Sequence, residues 1–366
     1  MRFLLPFVAV TSTAAPVGAQ PLCRAFDAGE EVGAITDPRI DEASGLAASW
    51  ANPGLLWTHN DSGDTARLFA LDEAGEVRAV LTLGVDARDW EDMAIGPCPG
   101  GEACLFVGDI GDNQAARTDV TLHRLPEPVV PATATDLAAA GVESFVFTYE
   151  DGPRDAETLL VHPVSGAVYV VDKTTGDPNN VWFVPIDESP IVARKVASFD
   201  LGEMGVFAGR ITGGDYAPDG EEIALRTYAV VYTFCGADPV AAFAAQPSRV
   251  VGFDLFQAET LTYARDGRSV WVTSEQRGTS TDPIPLVRMA VDEPVAMDQE
   301  PSADVAGPSP TDMTATGGAD VRIVENDTPA PRGCSCANAK AEVPFGILGL
   351  LGILAAMGFR SSTRRR

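Results

Sequence analysis

Carboxylates recur at matched positions along this chain. Five segments align in register: Glu42-Ala43-Ser44-Gly45-Leu46, Asp89-Trp90-Glu91-Asp92-Met93, Asp155-Ala156-Glu157-Thr158-Leu159, Arg210-Ile211-Thr212-Gly213-Gly214 and Gln257-Ala258-Glu259-Thr260-Leu261. Two polar columns stand two residues apart, which on a β-strand places both on one side. Six of the ten members are carboxylates, and Arg210 is the one base among them. Like charges gathered in one mouth raise one another's pKa unless a proton, a base or a metal ion intervenes. An all-oxygen set of this kind suits a hard cation such as Ca²⁺.

A second apolar run follows each segment: Leu56-Trp57-Thr58, Leu105-Phe106-Val107, Val168-Tyr169-Val170, Ile223-Ala224-Leu225 and Val270-Trp271-Val272. These runs end in Asn60, Asp109, Asp172, Thr227 and Ser274. In an antiparallel hairpin the end of strand two lies beside the start of strand one, so the polar columns meet on one face. Asp61, Asp64, Asp109, Asp112, Asn113 and Asp172 are the candidate metal ligands from neighbouring loops. Asn60–Asp64 and Asp109–Asn113 combine Asp, Asn and Gly but do not match the twelve-residue EF-hand loop. Turn chemistry alone also accounts for such runs, since short polar side chains cap their own backbone. His59 closes a strand beside Asn60; a lone His there is more often structural than a base. Nucleophile-elbow, P-loop and dinucleotide motifs are absent from the sequence, so nucleophilic hydrolysis, nucleotide-triphosphate and redox chemistry lack support.

The elements that must position these columns are short strands separated by Gly, Pro and Asp turns. Four short strands in about forty residues form the first unit, and repeats of roughly this length are the signature of an all-β propeller. Unit five is one strand short, and the lone strand expected at Glu31–Thr36 completes it, closing a ring between the chain's two ends. Five blades are expected; six follow if the insertion Glu127–Val142 hides a degenerate blade. A stack or sandwich of two β domains is the structural alternative. In a propeller the first strands line the channel, so Glu42, Ser44, Asp89, Glu91, Asp155, Glu157, Arg210, Thr212, Gln257 and Glu259 form the expected binding funnel.

With 366 residues, 45% of them hydrophobic, the chain can bury a substantial core. Its formal charge is −26. Setting aside residues 1–19 and 337–366 leaves 20 bases against 51 acids, so nucleic acid and anionic membrane surfaces are poor partners. Residues 1–19 read as a secretory signal, with Arg2, an apolar stretch and the finish Val17-Gly18-Ala19. Residues 20–291 are the propeller body. Residues 292–333, rich in Asp, Pro, Ser, Thr and Gly, read as a disordered stalk. At 334–366, Cys334 and Cys336 precede the apolar run Phe345–Phe359 and the basic tail Arg360, Arg364, Arg365 and Arg366. Fifteen helical residues rise about 22 Å, short of a hydrocarbon core of about 30 Å. Export to the cell envelope is expected, with membrane contact through the C-terminal segment alone. Four cysteines remain in the body, and four allow three pairings. Cys98 and Cys104 flank Pro99-Gly100-Gly101, so that pair is favoured, leaving Cys23 with Cys235.

Two resemblances bear on these residues. The end at about 333–366 resembles the MYXO-CTERM sorting signals of myxobacterial surface proteins in its Cys-containing head, apolar helix and Arg cluster; this implies Cys334 as the processing residue, with Cys336 as the alternative, and sorting machinery as a partner. Ala43-Ser44-Gly45-Leu46-Ala47, Leu55-Leu56-Trp57-Thr58, Leu68-Phe69-Ala70-Leu71-Asp72 and Asp89-Trp90-Glu91-Asp92-Met93-Ala94 resemble the SdiA-regulated propeller proteins and, more loosely, the esterase-like phytase group. The match covers about residues 40–113. It implies an extracytoplasmic propeller with a polar, calcium-binding funnel and gives Glu91 a lining role. The first expectation is a surface-displayed monomer that binds a cation and a small or cell-surface ligand. The alternative is a Ca²⁺-dependent phosphoesterase using Glu91, Glu157 and Asp109, for which the sequence offers few bases: Arg88, Arg210 and Lys173. A non-catalytic scaffold is the third.

Overall fold

Apolar runs set off by Gly, Pro and Asp turns become short strands throughout the computed structural model. It describes residues 23–291, apart from 134, 175–177, 202–208, 246, 252–254, 256, 277–279, 281 and the side chains of 249–251. The chain divides into two compact units, Met1–Met297 and Asp298–Arg366, and every described residue belongs to the first. The expected signal at 1–19, stalk at 292–333 and sorting segment at 334–366 with Cys334 lie outside the described residues. No helix among the described residues is long and apolar enough to cross a membrane.

Among the described residues the fold is all-β with one short helix. After β1 (Glu30–Ile35), the first four-stranded group is β2 (Ala43–Ala48), β3 (Leu55–Asn60), β4 (Arg67–Asp72) and β5 (Val77–Thr82). The second is β6 (Trp90–Pro97), β7 (Ala103–Asp109), β8 (Val120–Pro126) and β10 (Glu143–Tyr149), with β9 (Thr135–Ala138) lying in the insertion between β8 and β10. That insertion builds no group of its own: β9 adds to β5 as a parallel fifth strand of the first sheet. The third group is β11 (Ala156–Val161), β12 (Val168–Asp172), β13 (Asn179–Val184) and β14 (Ile191–Phe199). Parallel pairing of β10 with β14 joins the second and third groups into one eight-stranded sheet. Its edge strands β6 and β11 lie against each other, so the sheet bends back on itself. The fourth group is β15 (Ile211–Tyr216), β16 (Glu222–Thr227), β17 (Val230–Cys235) and, after α1 (Pro239–Ala244), β18 (Ser248–Val251). The last is β19 (Thr262–Tyr263), β20 (Ser269–Val272) and β21 (Ile284–Ala290), and β1 pairs antiparallel with β21 as its fourth strand.

Burial separates inner from outer strands. Every residue of β2, β11 and β15 is buried, because both faces of these strands are covered by neighbouring groups. The outer strands β10 and β14 mix exposed and covered positions, as expected where one face meets water. The first strands pack in a cycle: β2 on β6, β6 on β11, β11 on β15, β15 on β19, and β19 on β2. Hydrophobic clusters follow the same cycle. Trp57 and Trp90 share one cluster, Phe106 and Trp182 the next, Val171 and Leu225 the third, Ala224 and Val270 the fourth, and Trp271 and Phe69 the fifth. Each pair spans two successive groups, and the fifth joins the last group to the first.

Both expected cysteine pairs stand at disulfide distance. Cys98 and Cys104 span the hairpin between β6 and β7 with Cα atoms 5.1 Å apart. Cys23 and Cys235, with Cα atoms 5.3 Å apart, tie the start of the described chain to the fourth group across 212 residues.

Candidate functional site

A β-bulge at the start of each of four first strands builds the site. Pairing registers slip between Ala43 and Gly45, Trp90 and Asp92, Ala156 and Thr158, and Ile211 and Gly213. The extra residues are Ser44, Glu91, Glu157 and Thr212, four members of the inner polar column. A bulge leaves its extra residue outside the ladder and re-aims its side chain. Glu259 is the fifth member, and all five are 1–6% exposed. The two hydroxyl members tie neighbouring groups together: Ser44 Oγ donates to the Glu91 carbonyl at 2.6 Å, and Thr212 Oγ1 to the Ala258 carbonyl at 2.9 Å. Close approach of the inner strands demands glycine at 213, where a Cβ would lie 2.1 Å from the Glu259 carbonyl oxygen.

The carboxylate members converge. Asp61, Asp89 and Glu91 offer oxygens within 4.8 Å of one another, and so do Glu91, Asp155 and Glu157. Glu91 is common to both triads. It is 3% exposed, and no hydrogen-bond donor among the described residues reaches its carboxylate. Burial, then the charges of Glu157, Asp61, Asp89 and Glu259, hold its pKa well above the usual carboxylate range. Gly111 makes room for this group: a Cβ there would lie 2.1 Å from Glu91 Oε1 and 2.7 Å from Asp89 Cγ. Burial also raises Asp61, and pushes Asp89 up to about 6 with help from Asp61. A buried carboxylate without a donor, in a cradle lined with further oxygens, fits a hard cation.

In the second triad, Glu157 is pushed up to about 8 by burial, against the lowering effect of Lys173. Lys173 Nζ is in direct contact with Glu157 Oε1, hydrogen-bonds Tyr228, and lies 5.6 Å from the centre of its ring. Glu259 lies 3.4 Å from Ser44 Oγ and hydrogen-bonds Glu275. Burial and then Glu275 hold Glu259 well above the usual range, while burial pushes Glu275 up to about 7. Gln257, with a left-handed φ of 40°, donates to Glu275 at 2.5 Å.

Lys173, named in the sequence only as a base near the columns, forms a further column with Tyr228 and Glu275, neither of which the sequence singled out. They immediately follow Asp172, Thr227 and Ser274, as Asp61 follows Asn60. Backbone bonds from Asp61 N to Glu42 O, Lys173 N to Asp155 O and Glu275 N to Gln257 O set this column against the outer one. The repeat itself carried that signal. Glu42 is exposed, with its pKa raised by burial and then Asp41, and Arg210 is half-buried and engaged.

Most of the loop candidates serve the fold. Asp64 accepts from Arg67 and Asn60 at 2.8 and 2.9 Å. Asp109 forms a buried ion pair with Arg117 at 2.7 Å, Asp112 accepts from the Arg117 amide, and Asn113 is exposed. Asp172 accepts twice from Asn180 and once from Trp182. Of the loop set, Asp61 alone joins a triad. Arg117, also missed from sequence, donates to the Gly111 carbonyl at 2.7 Å and so fixes the cradle. Asp109 therefore stands apart from Glu91 and Glu157 as a catalytic candidate. His59 is fully buried, its pKa lowered to about 4 by burial, which keeps it neutral and away from the carboxylates' chemistry. No protein-family model matches the chain, and no curated protein matches it.

Proposed function

We propose that the chain is a five-bladed β-propeller, its last blade completed by β1, that binds a divalent cation in the mouth of its channel. The cyclic packing of the first strands and the five core clusters between successive groups support the blade count. Calcium is the ion that the all-oxygen donors Asp61, Asp89, Glu91, Asp155 and Glu157 favour. One observation carries this reading: Glu91, buried without a donor, belongs to both triads. The protein acts as an exported, surface-held binding module. Its two cysteine pairs favour an oxidising compartment, and the N- and C-terminal signals supply export and attachment. A phosphoesterase needs cations to hold phosphate, yet Lys173 is committed to Glu157 and Arg117 to Asp109, which favours binding over hydrolysis.

Thermal melts of the full chain with chelator and with calcium test the proposal. Saturating calcium at a hundredfold excess over Kd adds about 2.7 kcal/mol, a rise of about 5 °C or more for a body of this size. Glu91→Gln abolishes the rise. An unchanged melt for the native chain would reject the cation site.

A further inference from the structure

The two triads share Glu91 but differ in what surrounds them. Among the described residues no base contacts Asp61, Asp89 or Glu91, on which Lys173 and Arg117 act only through space, whereas Glu157 of the second triad is in direct contact with an ammonium. That ammonium is held on more than one side. Lys173 is 12% exposed and its Glu157 partner 5%, the Tyr228 hydroxyl bonds to it, and the Tyr228 ring faces it at 5.6 Å. Cation–π contact and a carboxylate together make a fixed ammonium cage. The backbone bond from Lys173 N to Asp155 O at 2.9 Å anchors the residue beside another member of the same triad. A divalent ion at Glu91, Asp155 and Glu157 would share Glu157 with a positive charge that water screens little.

We propose that Lys173 is an internal counter-ion that fills the second carboxylate triad, so that the chain takes up one divalent cation, at Asp61, Asp89 and Glu91, instead of two. This rests on the cation reading above and adds where the ion sits and why there is one. Glu91 provides the observation beyond the acidic cluster itself, because its buried carboxylate has no donor among the described residues and faces both triads. Lys173 thereby sets the stoichiometry while contributing no ligand.

Calcium bound per chain, measured by equilibrium dialysis of the full-length protein at about pH 9 so that protons compete little, tests this. The native chain binds one ion; Lys173→Met and Lys173→Gln bind two; Lys173→Arg, which keeps the charge, binds one. Adding Glu157→Gln to Lys173→Met returns the count to one. Circular dichroism and a cooperative melt establish that each variant is folded. Two ions on the native chain, or one ion on the native chain and still one on both uncharged variants, would overturn the role of Lys173. No ion on the native chain but one on the uncharged variants would reject the cation reading for the native protein while upholding the counter-ion. No ion on any folded variant would overturn both.

Discussion

Glu91, Glu157, Asp89 and Glu275 owe their raised pKa values first to burial. A carboxyl whose folded pKa exceeds its unfolded value stabilises the fold fully at low pH, and that stability is lost as pH rises through the folded value. The cation-free protein therefore weakens as pH climbs through about 6 for Asp89, about 7 for Glu275 and about 8 for Glu157. Urea unfolding with chelator, from about pH 5 to about pH 8.5, is expected to lose about 2–4 kcal/mol, and calcium should flatten the curve by replacing protons. A chelated protein of constant stability over that range would contradict the burial of these groups.

At the scale of elements, the bulges decide which way the columns point, and one loop decides what they meet. Residues 109–117 are held by Arg117, which pairs with Asp109, caps Gly111 and takes Asp112 at its amide. Asp109 and Asp112 look like ligands in the sequence because the Asp-Ile-Gly-Asp-Asn run at 109–113 has side chains that serve ions and turns alike. A base eight residues downstream of Asp109 claims them. Removing one partner of a buried pair leaves the other charge uncompensated, so Arg117→Ala should cost about 3–5 kcal/mol in urea unfolding. It should also weaken calcium binding, because Gly111 no longer fits closely over Glu91. A variant with native stability and native calcium affinity would show that the loop is not held this way.

For the whole molecule, the proposed ring is closed twice in different ways. β1 pairs with β21 to complete the last group, and the Cys23–Cys235 pair fastens the preceding segment to the fourth group. A cross-link spanning 212 residues removes much freedom from the unfolded chain. Cys23→Ser is therefore expected to lower stability by about 2–5 kcal/mol, read from the denaturation midpoint under non-reducing conditions. Without β1, the edge of β21 would be open to pairing with other chains. If Cys23→Ser melts as the native chain does, β1 alone suffices for closure.

The sequence by itself determined the repeat, the recurrence of Glu91, Glu157 and Glu259 at one position of it, the two cysteine pairs and the strand that completes the last group. Spacing and turn residues are local and so are legible in the chain, whereas the bulges that re-aim Glu91 and Glu157 interrupt a strand's period of two and belong to the pairing between strands. Tertiary structure alone decided which carboxylates remain unpaired. Ser44 and Thr212 turn to neighbouring backbones, Asp109 goes to Arg117, Asp172 to Asn180 and Trp182, and Glu157 to Lys173. Each of those partners is set by how separate segments pack, and burial converts the remaining proximity into the raised pKa values that a cation would relieve.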